Sequence, residues 1–355
     1  MSIKIGSSRE LNISAEMVTS FFEENWLRKI ALSNVDFYNW QFINTPLMKG
    51  DQCCIALQYN EIIAVMGLNE REFIFNENSL NGAELTTWIV KEDKRNLGLG
   101  PKMIDYLQSK FSVLFGMGIS AQALPIYLRK DFKYIKSIPR FIKVLNDDTV
   151  KQFGKFTPLF AKLNKRKYKN ESFISLPLTV NTTNQIFEKF SVDSNLFSRN
   201  YNWLSWRYDN HPSFDYIQKI IANDEGNKCI VVYRLDRLND FTIMHCVDLL
   251  GNENSYPAAL SFLENEAVKE KVDIMDFYST STKVNSYFIS RGWFSVLDCD
   301  FFDFPHLFHP VEMRSPSTTS LVMWCKWQDP SFFDVGRLYI SKQDCDFDRP
   351  TAANI

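Results

Sequence analysis

The stretch L-T-T-W-I-V-K-E-D-K-R-N-L-G-L-G-P-K-M-I, Leu85 to Ile104, carries the fold assignment. Leu85 to Val90 is rich in β-branched and aromatic residues and reads as a strand. Met103, Ile104 and Leu107 share one face of a helix expected over Pro101–Phe111. Between the two lies Arg95-Asn96-Leu97-Gly98-Leu99-Gly100. Glycines there permit tight turning and let a ligand approach bare main chain. The following helix offers free N–H groups and the positive end of its dipole, which suit a pyrophosphate. A turn that binds nothing would use the same residues. Two other phosphate-binding patterns fail: Gly100 is followed by Pro101-Lys102-Met103 rather than the Lys-Ser/Thr of a P-loop. The third glycine of a dinucleotide fingerprint is also missing before Ile104-Asp105.

The composition makes this glycine pair conspicuous. Only 13 of 355 residues are Gly, about half the usual share of roughly 7%. The length suits two domains, and 45% hydrophobic with 23% charged residues is globular. Forty Lys and Arg against 42 Asp and Glu give a net charge of −2, so no basic field favours nucleic acid. Seven cysteines without a CxxC pair and four histidines argue against a zinc site or disulfide framework and suit a reducing cytoplasm. No metal is expected. The start MSIKIGSSREL lacks the features of a signal peptide. The uncharged run Phe111–Leu128 contains Gly116, Gly118, Ser120, Gln122 and Pro125, and reads as a buried strand and short helix rather than a membrane span.

Outward from the loop, the first part of the chain alternates in type. Ala15–Trp26 reads as an amphipathic helix, Cys53–Gln58 and Ile62–Leu68 as strands joined at Asn60-Glu61, and Val113–Ile119 as a buried strand. Pro125–Asp131 reads as a helix and Phe141–Leu145 as a last strand. The order implies an α/β fold with a mixed, partly antiparallel sheet flanked by helices. The chain then begins again. Trp40-Gln41-Phe42-Ile43-Asn44-Thr45-Pro46 matches Trp206-Arg207-Tyr208-Asp209-Asn210-His211-Pro212, and Tyr127–Phe132 matches Phe288–Trp293. Two degenerate copies of one domain are expected: residues 1–147 with the loop, a connecting segment 148–195 with the basic run Lys165 to Asn170, a second copy 196–327, and a tail 328–355. The basic run is either a solvated connection or a set of cations for a phosphorylated substrate.

Arg95-x-x-Gly98-x-Gly100, between a strand and a helix, resembles the R/Q-x-x-G-x-G/A signature of the GCN5-related N-acetyltransferase (GNAT) superfamily. Tyr127-Leu128-Arg129-Lys130-Asp131-Phe132 resembles that family's Y-E-K-L-G-F segment, departing at Asp131 where glycine is usual. The second copy keeps Gly292-Trp293 but has no R-x-x-G-x-G after Asp248, and Phe288 replaces Tyr127. The resemblance therefore implies acyl-CoA binding in the first copy alone. It implies main-chain contacts from Thr87, Trp88, Ile89 and Val90 to the pantetheine and thioester, and from Arg95, Leu97, Gly98, Leu99 and Gly100 to the pyrophosphate. Glu84, eleven residues before Arg95, matches the place of a general base in the histone-acetylating type. Tyr127 matches the acid for the departing thiolate. Each also has a plain reading, a strand-end carboxylate and a packed tyrosine.

The tail alternates Asp344, Asp346 and Asp348 before Arg349-Pro350. It lacks the glycine and terminal glutamate of an EF-hand, and is either a solvated acidic tail or a binder of sugar hydroxyls, an ammonium and a phosphate. Tandem GNAT proteins with such a tail resemble N-acyltransferases that move an acyl group, acetyl or 3-hydroxybutyryl, from CoA to the amine of a nucleotide-linked amino-deoxy sugar, such as a dTDP-3-amino-3,6-dideoxyhexose, in surface polysaccharide (lipopolysaccharide O-antigen) synthesis. Expected partners are thus a CoA thioester and a nucleotide-linked amino sugar, with no nucleic acid and no membrane span. The competing readings are an aminoacyl transferase of the Fem kind and an inactive tandem-GNAT binding module. The sequence leaves the oligomeric state open.

Overall fold

The computed structural model describes residues 3–27, 29–48, 53–152, 154–164, 168–238, 241–297, 302–304, 307–308, 311–312, 318–345 and 350. Two mixed sheets carry the fold. The first runs Lys4–Ser7, Cys53–Gln58, Glu61–Phe75, Asn78–Val90, Val113–Met117, Leu321–Cys325, Lys133–Ile135. The second runs Phe294–Ser295, Arg140–Val144, Ile274–Tyr278, Phe241–Gly251, Lys228–Leu238, Tyr216–Ala222, Ile174–Leu176. Each contains one parallel pair, Asn78–Val90 with Val113–Met117 and Phe241–Gly251 with Ile274–Tyr278. The helix Leu99–Lys110 buries Leu99, Met103, Ile104 and Leu107 on the first sheet. Tyr256–Lys269 buries Leu260, Phe262 and Leu263 on the second.

The long hairpin of the first sheet exceeds the expected strands. Its strands turn at Tyr59-Asn60 (φ 54° and 63°) and at Asn76-Glu77 (φ 48° and 65°). Both are two-residue turns with positive φ, made without glycine. The polar run Asn69-Glu70-Arg71-Glu72 hid the continuation of the strand, because Asn69 and Arg71 point inward and are buried.

Two strands change partners. Arg140–Val144, expected at Phe141–Leu145 as the last strand of the first copy, pairs with Ile274–Tyr278 in the second sheet. Leu321–Cys325 returns from the second half to lie between Val113–Met117 and Lys133–Ile135 in the first. The segments 1–147 and 196–327 thus do not map one to one onto the sheets. Each half closes with a strand from the other.

The internal repeat is visible at two places. Trp40 and Trp206 stack with ring centroids 5.2 Å apart, at the junction of the halves. Each donates its indole N–H to the other's carbonyl oxygen, at 3.3 and 3.1 Å. Each sits in a single π-helical turn, Asn39–Ile43 or Ser205–Asp209, after a short helix capped by Asn34 or Asn200. The second place is the helix ends at Asp131 (φ 63°) and Gly292 (φ 76°). There Phe132 N–H donates to Tyr127 O at 3.2 Å and Trp293 N–H to Phe288 O at 3.0 Å. Asp131 reproduces the left-handed stop that glycine makes in the other copy. Replacing Trp40 or Trp206 by Ala is expected to cost about 3–5 kcal/mol in urea unfolding. The double variant should lose clearly less than the sum, because both changes remove one shared contact.

Candidate functional site

The strand Asn78–Val90 pairs with Val113–Met117 only at Gly82, Ala83 and Glu84. Beyond Glu84 the two strands part, and the main chain of Leu85–Val90 leaves that ladder. A bulge sharpens the departure: Trp88 faces Met66, Thr86 faces Gly67, and the extra residue Thr87 has φ 42°. A β-branched residue in the left-handed region is strained, and such strain gathers at functional sites. Thr87 to Val90 are half-buried.

The chain then makes a 3-10 turn, Glu92–Leu97, with Arg95 and Leu97 exposed, before the helix Leu99–Lys110. Gly98 is the N-cap, at φ 63° and ψ 33°, and no side chain caps this helix start. A Cβ added at Gly98 would meet nothing within 4 Å. The first helix amides have no side-chain cap and sit at the positive end of the dipole, which fits a pyrophosphate.

Gly100 has a different reason. It is buried, and a Cβ there would lie 2.8 Å from Ile126 Cδ1 and 3.0 Å from the Trp88 ring. Its bare Cα therefore seats the Trp88 indole. Trp88 Nε1 is itself buried without a hydrogen-bond partner among the described residues. Gly100→Ala is expected to destabilise by about 1–3 kcal/mol through overpacking, read as a lowered melting temperature with a shifted tryptophan emission.

Tyr127 is buried against Trp88 and Phe132, with ring centroids at 5.7 and 5.0 Å. Burial pushes its phenol pKa well above the ordinary tyrosine value. The group stays protonated and can donate.

Glu84 lies on the sheet face opposite the helix Leu99–Lys110 and is buried. Its Oε2 accepts a hydrogen bond from Asn69 Nδ2 at 2.7 Å, directly across the hairpin. Both residues line a cleft of about 380 Å³, counted with its open mouth, between the halves. Phe37, Trp40 and Trp206 form apolar wall, and Arg71 and Arg207 add cations. Arg71 Nη2 donates to Asp344 Oδ1 at 3.0 Å, and Arg199 Nη2 to Asp344 Oδ2 at 2.5 Å. Arg199 Nε also holds Asp248 Oδ2 at 2.9 Å. Desolvation lowers the Arg71 pKa, and the Asp344 charge works against that shift.

Asp344 is fully buried within this ion-pair chain, and the Ser341 amide also donates to it at 2.9 Å. The structure thus makes Asp344 the anchor of Arg71, while its neighbours Gln343 and Cys345 line the cleft. Asp346, Asp348 and Arg349 lie outside the described residues, as do Lys165, Arg166 and Lys167. Sequence reasoning missed Asn69, Arg71 and Gln343. The first two sit in a strand extension that looked polar, and Gln343 is flanked by the more conspicuous charges of the tail.

In the second half the strand Phe241–Gly251 likewise leaves its parallel neighbour after Cys246, but among the described residues its surroundings differ. A short 3-10 turn, Glu253–Ser255, precedes its helix. The C-terminal segment fills the space beside the strand: Tyr339 Oη accepts from Leu249 N–H at 3.0 Å and donates to Asp248 Oδ1 at 2.7 Å. Where the first hairpin pairs Asn69 with Glu84, the second pairs Arg234 with His245. His245 lies 2.6 Å from Asp276 and 3.1 Å from Asp236, and Arg140 Nη2 donates to Asp276 at 3.1 Å. Lys342 Nζ closes the cluster 2.9 Å from His245 Nδ1. Among the described residues no helix is long and apolar enough to cross a membrane.

No protein-family model matches the sequence, and no curated protein matches it. Solved structures do match. A GCN5-related N-acetyltransferase from Anabaena variabilis ATCC 29413 is 8% identical, with a TM-score of 0.57 over 92% of this chain and 73% of that one. A probable N-acyltransferase from Enterococcus faecalis V583 is 9% identical, at 0.55 over 91% and 72%. Saccharomyces cerevisiae N-myristoyltransferase with bound myristoyl-CoA is 11% identical, at 0.53 over 95% and 84%. These likenesses extend over both halves, and they establish the fold: a mixed α/β chain of two GNAT-like halves.

Proposed function

We propose that the chain is an acyl-CoA-dependent N-acyltransferase whose acceptor is a nucleotide-linked amino-deoxy sugar. One observation carries the transferase reading: a strand that parts from its neighbour after Glu84 leads to an uncapped helix start at Gly98, beside a cleft holding that carboxylate. The second half shares the parting strand, after Cys246, and a helix start without a side-chain cap at Ser255, but there Tyr339 bonds the freed main chain of Leu249. The similar structures, an N-acetyltransferase and an N-myristoyltransferase holding myristoyl-CoA, support the same reading.

The bound thioester supplies an activated acyl carbon. The amides at Gly98, Leu99 and Gly100 would hold its pyrophosphate, with Arg95 and Leu97 at the rim; Pro101 has no N–H to give. The freed main chain of Thr87, Trp88, Ile89 and Val90 would align the pantetheine and face the carbonyl oxygen. Glu84, its carboxylate held by Asn69, takes the ammonium proton so that the amine lone pair attacks. The C–N bond forms, the C–S bond breaks with its electron pair leaving on sulfur, and the nitrogen sheds its second proton to solvent, from which the thiolate takes one to become the free thiol. Tyr127 stabilises that thiolate by a hydrogen bond. Full proton transfer would run uphill, because its raised pKa stands above the ~8.5 of a thiol.

The sugar reading rests on the resemblance of the whole chain and on the cleft, where tryptophans meet amide and guanidinium groups as they do around sugar rings. The Fem-like alternative carries a long helical arm; the longest described helix is Tyr256–Lys269, of 14 residues. The test is product analysis. Acetyl-, butyryl- and 3-hydroxybutyryl-CoA are incubated with nucleotide-linked amino sugars and, separately, with peptide amines. The reading expects one acyl mass added in amide linkage to a sugar. Acylation of peptide alone removes the sugar assignment, and no transfer at all removes the enzyme.

A further inference from the structure

Four polar atoms on the cleft wall have no hydrogen-bond partner among the described residues: Asn69 Oδ1, Arg71 Nε, and both Oε1 and Nε2 of Gln343. Their side chains are 9%, 3% and 2% exposed, and all three line the same cleft. An unpaired buried polar group costs about 1–3 kcal/mol. Four together mark a place where a ligand supplies the partners.

Their orientations are fixed by neighbours. Asn69 commits Nδ2 to Glu84, so Oδ1 is its free end. Asp344 holds the Arg71 guanidinium through Nη2, and Nε is left without a partner among the described residues. Gln343 sits in the turn Lys342–Asp344, closed by a capping box from Ser341, whose Oγ accepts from Gln343 N at 3.3 Å. Both ends of its amide are unpaired, so the assignment of O and N does not alter the argument. Its main-chain N–H is held by Ser341 Oγ, while its side chain has no hydrogen-bond partner among the described residues.

Resting on the acyltransferase reading above, we propose that Gln343, with Arg71 Nε and Asn69 Oδ1, forms the subsite that reads the hydroxyl groups of the acceptor ring. The set mixes donors with acceptors. A carboxylate or phosphate only accepts, and would leave Asn69 Oδ1 and Gln343 Oε1 unpaired. An ammonium only donates, and would leave Arg71 Nε and Gln343 Nε2 unpaired. A hydroxyl does both, so neighbouring hydroxyls satisfy all four atoms. The contact between Asn69 and Glu84 then sets the ring next to the base, with one face of the acceptor bonded and its amine at the carboxylate.

The test uses Gln343→Leu and Gln343→Glu, assayed with the CoA thioester the wild type turns over best and a dTDP-linked 3-amino-3,6-dideoxyhexose. The acceptor KM is expected to rise about 10- to 100-fold in Gln343→Leu, for one or two lost hydrogen bonds, with acyl-CoA KM unchanged. The melting temperature of Gln343→Leu should hold or rise, because the change removes two unsatisfied groups. Gln343→Glu keeps an acceptor and loses the donor, and should fall between Leu and wild type. A structural role predicts the reverse, a lowered melting temperature with both KM values moving together, and would overturn the proposal. An unchanged acceptor KM in both variants would overturn it as well. Failure of the wild type to acylate any hydroxyl-bearing amine is a separate result, which removes the sugar reading itself.

Discussion

Gly98→Asp is expected to weaken acyl-CoA binding at least ~100-fold while the protein stays folded. Three features of the site combine in this expectation. The position has φ 63°, which aspartate tolerates better than most residues. A new Cβ meets nothing within 4 Å, so sterics do not forbid the change. The new carboxylate would cap the free amides at the start of Leu99–Lys110, where a pyrophosphate needs them. Loss of two charge-assisted hydrogen bonds, each worth about 1.5–3 kcal/mol, accounts for the hundredfold or more. Capping and left-handed strain oppose one another, so the melting temperature should move by no more than about 3 °C. Fluorescence or calorimetric titration gives the affinity and a thermal melt gives the stability. Unaltered affinity would place CoA elsewhere.

Glu84→Gln should lower kcat by about 10²- to 10⁴-fold, the usual contribution of a general base. The amide can still accept from Asn69 Nδ2, so the 2.7 Å contact across the hairpin has a replacement and the cleft keeps its shape. Acyl-CoA affinity should hold. The deficit should be largest at low pH, where the acceptor arrives as an ammonium, and should shrink as the pH approaches the amine's own pKa. A pH–rate profile of both proteins reads this directly. Full kcat in the variant at every pH would mean that positioning alone supports the reaction.

Much of the first half was legible because its signals are local. Gly98 stands where a strand meets a helix, and its positive φ and open surroundings are properties that a glycine at such a junction in a glycine-poor chain announces. The paired Trp40 and Trp206 motifs were readable as a repeat, since both copies need the same capped turn and indole. Gly100 carried a mixed message. The sequence shows the missing Cβ, and only packing shows that Trp88 occupies the space.

The exchange of Arg140–Val144 and Leu321–Cys325 between sheets was not legible. A buried strand has the same composition whichever edge it joins, and the partner is set by contacts more than a hundred residues away. The cleft was half legible. Glu84 follows from its spacing to the loop, but Asn69 and Arg71 lie on a strand whose polar residues look solvent-facing until the C-terminal turn closes over them. Asp344 drew attention as a charge, and its structural partners Arg71 and Arg199 are 273 and 145 residues distant. No local pattern reports such pairings.

The central claim is that one half handles the acyl-CoA and the other is sealed by its own C-terminal segment. Titration of acetyl-CoA into the wild-type protein by calorimetry tests it most directly. The predicted result is one molecule bound per chain, with the heat abolished by Gly98→Asp. Two molecules per chain, or no binding at all, would contradict it.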